Sequence, residues 1–285
     1  MLPTATTQIY GVLGSPIRHS RSPLMHNTAF EALGLDYTYV AFDVNETTLP
    51  NAVDGLRALG VKGWNCTMPN KMAMARLCDH LSPAARIIGA VNTVVNEDGV
   101  LTGHSTDGTG FMLSLKDAGI DPRGKKITVL GVGGASTAII VQAALDGVRD
   151  IAIFNRKSPS WLRAQPLIGR LGRETPCHIR LYDLNDTALL QQHLNESILL
   201  VNGTSVGMAP HAEQCPIPAN IHLHPGLAVY DVIYNPLETQ LLQRAKQAGC
   251  TTIEGLSLLL WQGAEAFRLW TGKQMPIDAV KKVLF

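Results

Sequence analysis

Two hydrophobic rhythms alternate along this chain. Short apolar runs, some continuous and some alternating with polar residues, occupy 8–13, 37–43, 61–66, 127–130, 150–154, 176–183, 197–203, 227–234 and 251–255. Their length and content suit strands, and the continuous ones suit strands covered on both faces. Between them lie segments at 22–33, 49–59, 72–80, 111–118, 135–145, 238–248, 256–270 and 276–284 that read as helices, and 135–145 contains neither Pro nor Gly. The first carries Met25, Ala29, Ala32 and Leu33 on one face. Ser22 suits its N-cap and Pro23 its first turn, and Gly34, Gly60 and Gly249 close helices. Residues 87–95 read as an apolar strand interrupted by Asn92, and 94–101 as a hairpin turning at Asn96-Glu97-Asp98-Gly99. Strands alternating with helices predict an α/β fold with parallel sheets.

One strand-to-helix junction carries a chemical signal. Gly131-Val132-Gly133-Gly134-Ala135-Ser136 follows the run 127–130 and opens the helix 135–145. The first glycine allows the tight turn, and the next ones let a pyrophosphate approach the backbone. The helix N-terminus offers free N–H groups and positive dipole to phosphate. Ser136 stands where the usual fingerprint has its third glycine, and it is still small. The next strand ends in Asn155-Arg156-Lys157-Ser158. NAD-selective folds place an acid there for the ribose hydroxyls. Two cations and a hydroxyl suit a 2′-phosphate instead, with Arg156 the better clamp. The expected cofactor is NADP, with NAD as the alternative.

Composition narrows the class. The chain has 285 residues, enough for two domains, with 46% apolar and 16% charged residues. A net charge of +1 gives no support to a nucleic-acid or membrane-surface role. No apolar run reaches bilayer length, and residues 1–8 carry no signal-peptide pattern. The five cysteines are odd in number and unpaired in spacing, which fits free thiols in a reducing cytoplasm and no zinc site. No metal is expected.

Several polar residues fall where strands end and helices begin. Ser20 and Ser22 either cap a helix or offer hydroxyls to a ligand. Asn65, Thr67 and Lys71 cluster after the strand 61–66; Lys71 is a surface charge or, in a closed cleft, a catalytic one. Asn92 interrupts an apolar strand and needs partners either way. Asp107 opens a helix, as a cap or as a functional carboxylate. His19 and His26 have no metal-ligand pattern and read as ordinary polar residues.

Taken together, these segments resemble the shikimate dehydrogenase family. The matching stretches are Ser20-Arg21-Ser22-Pro23 with His26-Asn27, Asn65-Cys66-Thr67-Met68-Pro69-Asn70-Lys71, Gly89-Ala90-Val91-Asn92-Thr93, Ser105-Thr106-Asp107-Gly108 and the glycine loop. Asn202-Gly203-Thr204-Ser205-Val206-Gly207-Met208, Tyr234-Asn235-Pro236-Leu237-Glu238-Thr239 and Trp261-Gln262-Gly263-Ala264 continue the series in the family's order. The forms Met-Pro-Asn-Lys and Leu-Leu-Trp-Gln-Gly-Ala-Glu are most similar to the quinate/shikimate dehydrogenase branch.

The resemblance implies reversible hydride transfer between a nicotinamide cofactor and a ring alcohol, shikimate and by extension quinate. Lys71 and Asp107 match the family's catalytic pair. Ser20 and Ser22 match the hydroxyls that hold the substrate carboxylate. Asn65, Thr67, Asn92 and Gln262 match groups that bond ring hydroxyls, with Tyr234 beside substrate and nicotinamide. Gly131, Gly133, Gly134, Ala135, Ser136, Asn155, Arg156, Lys157, Ser158, Asn202, Thr204, Met208 and Gly255 are the expected cofactor contacts. The implied architecture is an N-terminal βα substrate domain (1–106 and 240–285) and a Rossmann-type nucleotide-binding domain (107–239). The C-terminal helices return to the first domain, leaving a cleft between the two with hinges near 103–108 and Gly255. A cytoplasmic monomer or homodimer is expected.

Some positions depart from the family's pattern. Ser105 and Cys66 replace a common Asn and Val. Arg21 either faces the substrate carboxylate or solvent. The loop 157–161 lacks an acid and differs from the common NADP loop. Competing readings are a dehydrogenase of another ring substrate (aminoshikimate or methylenetetrahydrofolate type) and a non-catalytic nucleotide-sensing relative. The paired serines with Lys71 and Asp107 favour a small anionic cyclic alcohol.

Overall fold

The computed structural model describes residues 2–285, which form two compact units. One contains the chain up to Gly110 together with Leu260–Phe285; the other is Phe111–Leu259.

In the first unit the order is β1 (Gln8–Gly14), α1 (Ser22–Ala32), β2 (Tyr37–Asp43), α2 (Leu49–Ala58), β3 (Gly63–Cys66), α3 (Lys71–Ala75), β4 (His80–Leu81), α4 (Pro83–Ile88), β5 (Thr93–Glu97) and β6 (Val100–His104). α5 (Thr106–Asp117) starts in this unit and continues into the second. The second holds β7 (Lys126–Leu130), α6 (Gly134–Leu145), β8 (Asp150–Asn155), α7 (Pro159–Glu174), β9 (His178–Asp183), α8 (Thr187–Glu196), β10 (Leu199–Asn202), β11 (Ala228–Asp231), α9 (Gln240–Gln247) and β12 (Thr251–Ile253). α10 (Gly255–Thr271) leads back to the first unit, where α11 (Ile277–Leu284) ends the fold.

The first sheet runs β2-β1-β3-β5-β6-β4. β1 pairs in parallel with β2 and β3, and the β5–β6 hairpin joins antiparallel at β3. The second sheet runs β12-β11-β10-β7-β8-β9 and is parallel throughout. This is the order of two βαβαβ halves joined at β7 and β10, and ligands of such sheets bind at the C-terminal ends of the strands beside that switch point. There the register sets Leu130 opposite Asn202, so the loops after both strands start side by side.

The fold differs from the sequence reading at four places. The helix expected at 72–80 stops at Ala75, because Asp79 pairs with β6. Its N–H donates to Leu101 O at 2.9 Å and its carboxylate accepts from Leu101 N at 2.7 Å. The strand expected at 87–95 begins only at Thr93. Ser82 caps α4 by accepting from Ala85 N (3.3 Å), and Gly89 ends it in the left-handed region at φ +73°. Helices α7 and α8 fill stretches to which the sequence reading assigned no element. Pro166 inside α7 disguised the first, and Asp186, accepting from Leu189 N at 3.0 Å, caps the second. The return to the first unit comes at Leu260 rather than at 240, since α9 and β12 extend the second sheet.

His26 also differs from its expectation. It is fully buried in the first unit's core with Met25, Phe30, Tyr39 and Phe267. Its ring stacks on Tyr39 with centroids 4.5 Å apart, and neither ring nitrogen has a hydrogen-bond partner. Burial pushes its pKa down to about 3. The unfolded chain therefore takes up this proton first on acidification, near the ordinary histidine value of 6.5, and stability falls until the folded group titrates. Urea unfolding from pH 6.5 to 3 is expected to show a slope in the wild-type chain that is smaller by about 1.4 kcal/mol per pH unit in His26→Leu. Identical slopes would remove His26 from the acid response.

Candidate active site

The polar centre of the first unit is Lys71 with Asp107. Lys71 opens α3 and Asp107 lies in the first turn of α5, where a carboxylate is favoured by the helix dipole. Lys71 Nζ donates to Asp107 Oδ2 at 2.6 Å, with the side chains 30% and 13% exposed. That leaves the ammonium reachable while shielding the carboxylate.

Local structure explains why the two meet. After β3 the chain turns through Thr67–Asn70. Thr67 N donates to Leu13 O at 2.9 Å, and the buried Asn70 donates to Val44 O at 2.7 Å. A Cβ on Gly14 would lie 2.4 Å from the Thr67 methyl, so glycine there allows Thr67 its place. Asn92 fixes the other partner. Its Nδ2 donates to Asp107 Oδ1 at 2.8 Å, and its Oδ1 accepts from Thr106 N at 2.7 Å. Gly110, one turn beyond Asp107, lets α10 approach at Gln262, whose backbone nitrogen would sit 2.4 Å from an added Cβ.

The network continues from this pair. The Asn92 oxygen also accepts from the hydroxyls of Thr93 and Thr106, both at 3.2 Å. Asn65 Nδ2 donates to Asn92 O (3.1 Å) and Thr93 Oγ1 (2.9 Å), while its Oδ1 accepts from the Tyr39 hydroxyl at 2.7 Å. Burial raises the pKa of that hydroxyl, against the pull of the neighbouring Ser22. Counting donors and acceptors then gives the two amides opposite roles. Both N–H bonds of Asn65 are used, leaving an acceptor lone pair; the Asn92 oxygen is filled, leaving one donor. The pair therefore matches hydroxyl groups in a fixed sense.

Ser22 does not cap α1. Arg21 occupies the N-cap position without a side-chain bond, and Ser20 Oγ accepts from Ser22 N at 3.3 Å. Arg21 turns away to Leu284 O at 3.0 Å, at the end of α11. Among the expected residues, Asn65, Asn92, Lys71 and Asp107 belong to one network, with Ser22 near its Tyr39 member, and Ser20 and Thr67 hold the loops beside it. Tyr39, Thr93 and Thr106 are additional members. Their signal in the sequence was a hydroxyl at an inward or strand-end position, which must find a partner when buried.

The second unit holds the glycine loop. Gly131 takes φ +90°, and a Cβ there would meet the Thr204 methyl at 2.8 Å. Gly133 occupies the N-cap of α6 with no side-chain cap bond, and a Cβ on Gly134 would meet nothing within 4 Å. The N–H groups of Gly134, Ala135 and Ser136 precede the first hydrogen bond of the helix, Thr137 N to Gly133 O at 2.8 Å, and are the groups that a phosphate would use. Ser136 is buried and donates to Gly203 O at 2.8 Å, tying this loop to the one after β10.

That second loop has its own anchor. Asn202 Oδ1 accepts from Thr204 Oγ1 at 2.7 Å, and Asn202 Nδ2 donates to Asp231 Oδ1 at 3.0 Å. Asp231 is fully buried and also accepts from Ile233 N (3.1 Å) and Thr239 Oγ1 (2.7 Å). Burial raises its pKa to about 6, against the pull of its donors. Asn155 ends β8 and Arg156–Ser158 follow it, with Arg156 and Lys157 exposed. Met208 (46% exposed) and Tyr234 (45%) present large side chains to solvent. Gly255 N donates to Ile233 O, and a Cβ there would lie 2.4 Å from Val232 O. Among the described residues no group of three or more His, Cys, Asp or Glu side chains is placed to hold a metal.

Two stretches of the chain match family models. Residues 12–94 match the family model for the shikimate dehydrogenase substrate binding domain, and 255–285 match that for the shikimate 5′-dehydrogenase C-terminal domain. The chain is 50% identical over 282 residues to the shikimate dehydrogenase (NADP(+)) of Listeria monocytogenes serotype 4b, covering 99% of this chain and 97% of that one. The crystal structure of shikimate 5-dehydrogenase from Listeria monocytogenes with shikimate and NAD shares 50% identity at a TM-score of 0.97, covering 99% and 98% of the two chains. Shikimate 5-dehydrogenase from Thermus thermophilus with NADP(H) and shikimate shares 36% identity at a TM-score of 0.84, covering 97% and 98%. Half of all residues agree along essentially the whole length, and the fold agrees with them: this chain belongs to the shikimate dehydrogenase family.

Proposed function

We propose that this protein interconverts shikimate and 3-dehydroshikimate with NADP or NAD, and that it accepts quinate as a second ring alcohol. The observation that carries the reading is the Lys71–Asp107 pair at 2.6 Å inside a set of neutral amides and hydroxyls. A polyhydroxylated anion needs such a set, because each unmatched hydroxyl is costly to bury.

The chain's residues divide the work. Ser20 and Ser22 bind the substrate carboxylate. Asn65 accepts from one ring hydroxyl and Asn92 donates to another, with Thr67 and Gln262 completing the set. When bound, the nicotinamide supplies or takes up the hydride at the ring carbon. In the direction of reduction, Lys71 donates its hydrogen bond to the ketone oxygen and stabilises the growing negative charge. The Lys71–Asp107 pair then delivers the proton, so the carbonyl becomes an alcohol with one hydride and one proton added. Asp107, held by Asn92, keeps the ammonium in place.

The cofactor lies on the glycine loop, its pyrophosphate on the N–H groups opening α6. Asn155, Arg156, Lys157 and Ser158 face the adenosine ribose, and Asn202, Thr204, Met208, Tyr234 and Gly255 the nicotinamide end. Arg156 and Lys157 favour NADP. We place the enzyme in the cytoplasm, a reading supported by its five free cysteines. No helix among the described residues is long and apolar enough to cross a membrane.

Initial rates at the reduced-nicotinamide absorbance band test this, with shikimate and quinate each offered NADP and NAD. Turnover of shikimate is the expected result, fastest with NADP. Folded protein that binds nucleotide but oxidises neither acid would move the reading to another ring substrate or to a sensor.

A further inference from the structure

At the adenosine end of the proposed cofactor site, the position that holds an acid in NAD-selective folds is Asn155. The residue directly across the β8–β9 register from it is Asp183. The two strands stay paired to their last residues, with Leu184 N donating to Asn155 O at 3.1 Å. The carboxylate of Asp183 is therefore at the C-terminal edge of the sheet, where nucleotides bind. It is held on both oxygens. Oδ1 accepts from Asn185 N at 3.0 Å, and Oδ2 pairs with Lys157 Nζ at 3.6 Å. The carboxylate is 25% exposed and the lysine 72%. Arg156, next to that lysine, makes no ion pair among the described residues.

We infer that Asp183 sets the balance between NADP and NAD by competing with the 2′-phosphate for Lys157. The inference rests on the cofactor site proposed above. A 2′-phosphate brings almost two negative charges toward this edge. It gains Arg156 at no cost, but it gains Lys157 only by drawing it off Asp183, and it then faces an unpaired carboxylate. NAD brings a neutral hydroxyl, leaves the Asp183–Lys157 pair intact, and meets an acceptor of the kind that NAD-selective folds use. One site thus tolerates both cofactors, where an unopposed Arg156–Lys157 pair would favour the phosphate far more strongly.

The experiment is calorimetric titration of the full chain with NADP and with NAD, without substrate, for the wild type, Asp183→Asn, Lys157→Ala and the double variant. Asp183→Asn is expected to tighten NADP by about three- to tenfold and to weaken NAD by up to about threefold, effects on the scale of an exposed ion pair. Lys157→Ala weakens NADP by a similar factor and leaves NAD within twofold. In the Lys157→Ala background the Asp183→Asn gain for NADP shrinks, because the lysine it released is gone. An unchanged NADP-to-NAD ratio in folded Asp183→Asn, confirmed by its thermal melt, overturns the inference. So does an equal gain with and without Lys157, which would reduce Asp183 to simple repulsion. Wild-type protein that binds neither nucleotide would instead sink the cofactor site itself, so the two failures are distinct.

Discussion

Lys71→Ala turns over shikimate about 1,000-fold more slowly than the wild-type chain and binds NADP with unchanged affinity. The magnitude follows from two roles held by one side chain. A positioned acid or base is worth roughly 100- to 10,000-fold, and a donor aimed at a developing alkoxide roughly 100- to 1,000-fold. The two do not multiply, since one ammonium supplies both. The structure explains why nothing compensates. Each Asp107 oxygen already has a partner, Asn92 on one and Lys71 on the other. Removing the ammonium leaves a carboxylate, 13% exposed, that repels the growing negative charge and no longer anchors the group that offset it. Asp107→Asn therefore loses less than Lys71→Ala, because the ammonium remains although its anchor is weaker. Stopped-flow single turnovers separate chemistry from binding, and NADP quenching of tryptophan fluorescence checks the cofactor site. Lys71→Ala retaining more than a tenth of the wild-type rate would take Lys71 out of the mechanism.

Much of this site was legible because its residues sit at strand ends and helix starts, which punctuation marks in any sequence. Lys71 follows a Pro-containing turn and Asp107 follows a hairpin, and both fall where expected. The glycine loop was legible for the same reason: its signal is local, a strand, a turn and a helix. What escaped was non-local. Tyr39 lies in an alternating strand whose sequence says only that one face is buried. That its hydroxyl reaches Asn65 depends on how β2 and β3 pair on either side of β1. Ser22 read as a cap, because serine before proline usually is one; the helix instead starts one residue earlier, with Arg21 at the N-cap. Asp183 carried no signal at all, since only the β8–β9 register sets it opposite Asn155. Among the helices, α7 was hidden by Pro166. Its apolar positions Ala164 and Leu171 are buried nonetheless, and tertiary packing outweighs the missing N–H.

Gly110→Ala is expected to cost both stability and catalysis, although it adds one methyl group far smaller than the substrate. The added Cβ would lie 2.4 Å from Gln262 N and 2.6 Å from its Cα, and backbone on a packed helix cannot rotate away as a side-chain tip can. Relief requires α5 and α10 to separate, at a cost of about 1–3 kcal/mol for overpacking of this kind. With roughly 2–4 °C per kcal/mol for domains of this size, the melting temperature falls by several degrees. The same separation moves Asp107, one turn before Gly110, relative to Gln262. Displacement near the reacting groups reduces kcat/KM by about 100-fold per ångström. Gly55→Ala is the matched control. It too lies in a helix, has a φ outside the positive region, and a Cβ there meets nothing within 4 Å. That variant gains about 0.4–1 kcal/mol from the stiffer unfolded chain and keeps full activity. Differential scanning calorimetry of the two variants therefore gives shifts of opposite sign. Gly110→Ala melting with the wild type, at unchanged kcat/KM, would mean that the contact between α5 and α10 yields without cost and does not set the geometry of Asp107.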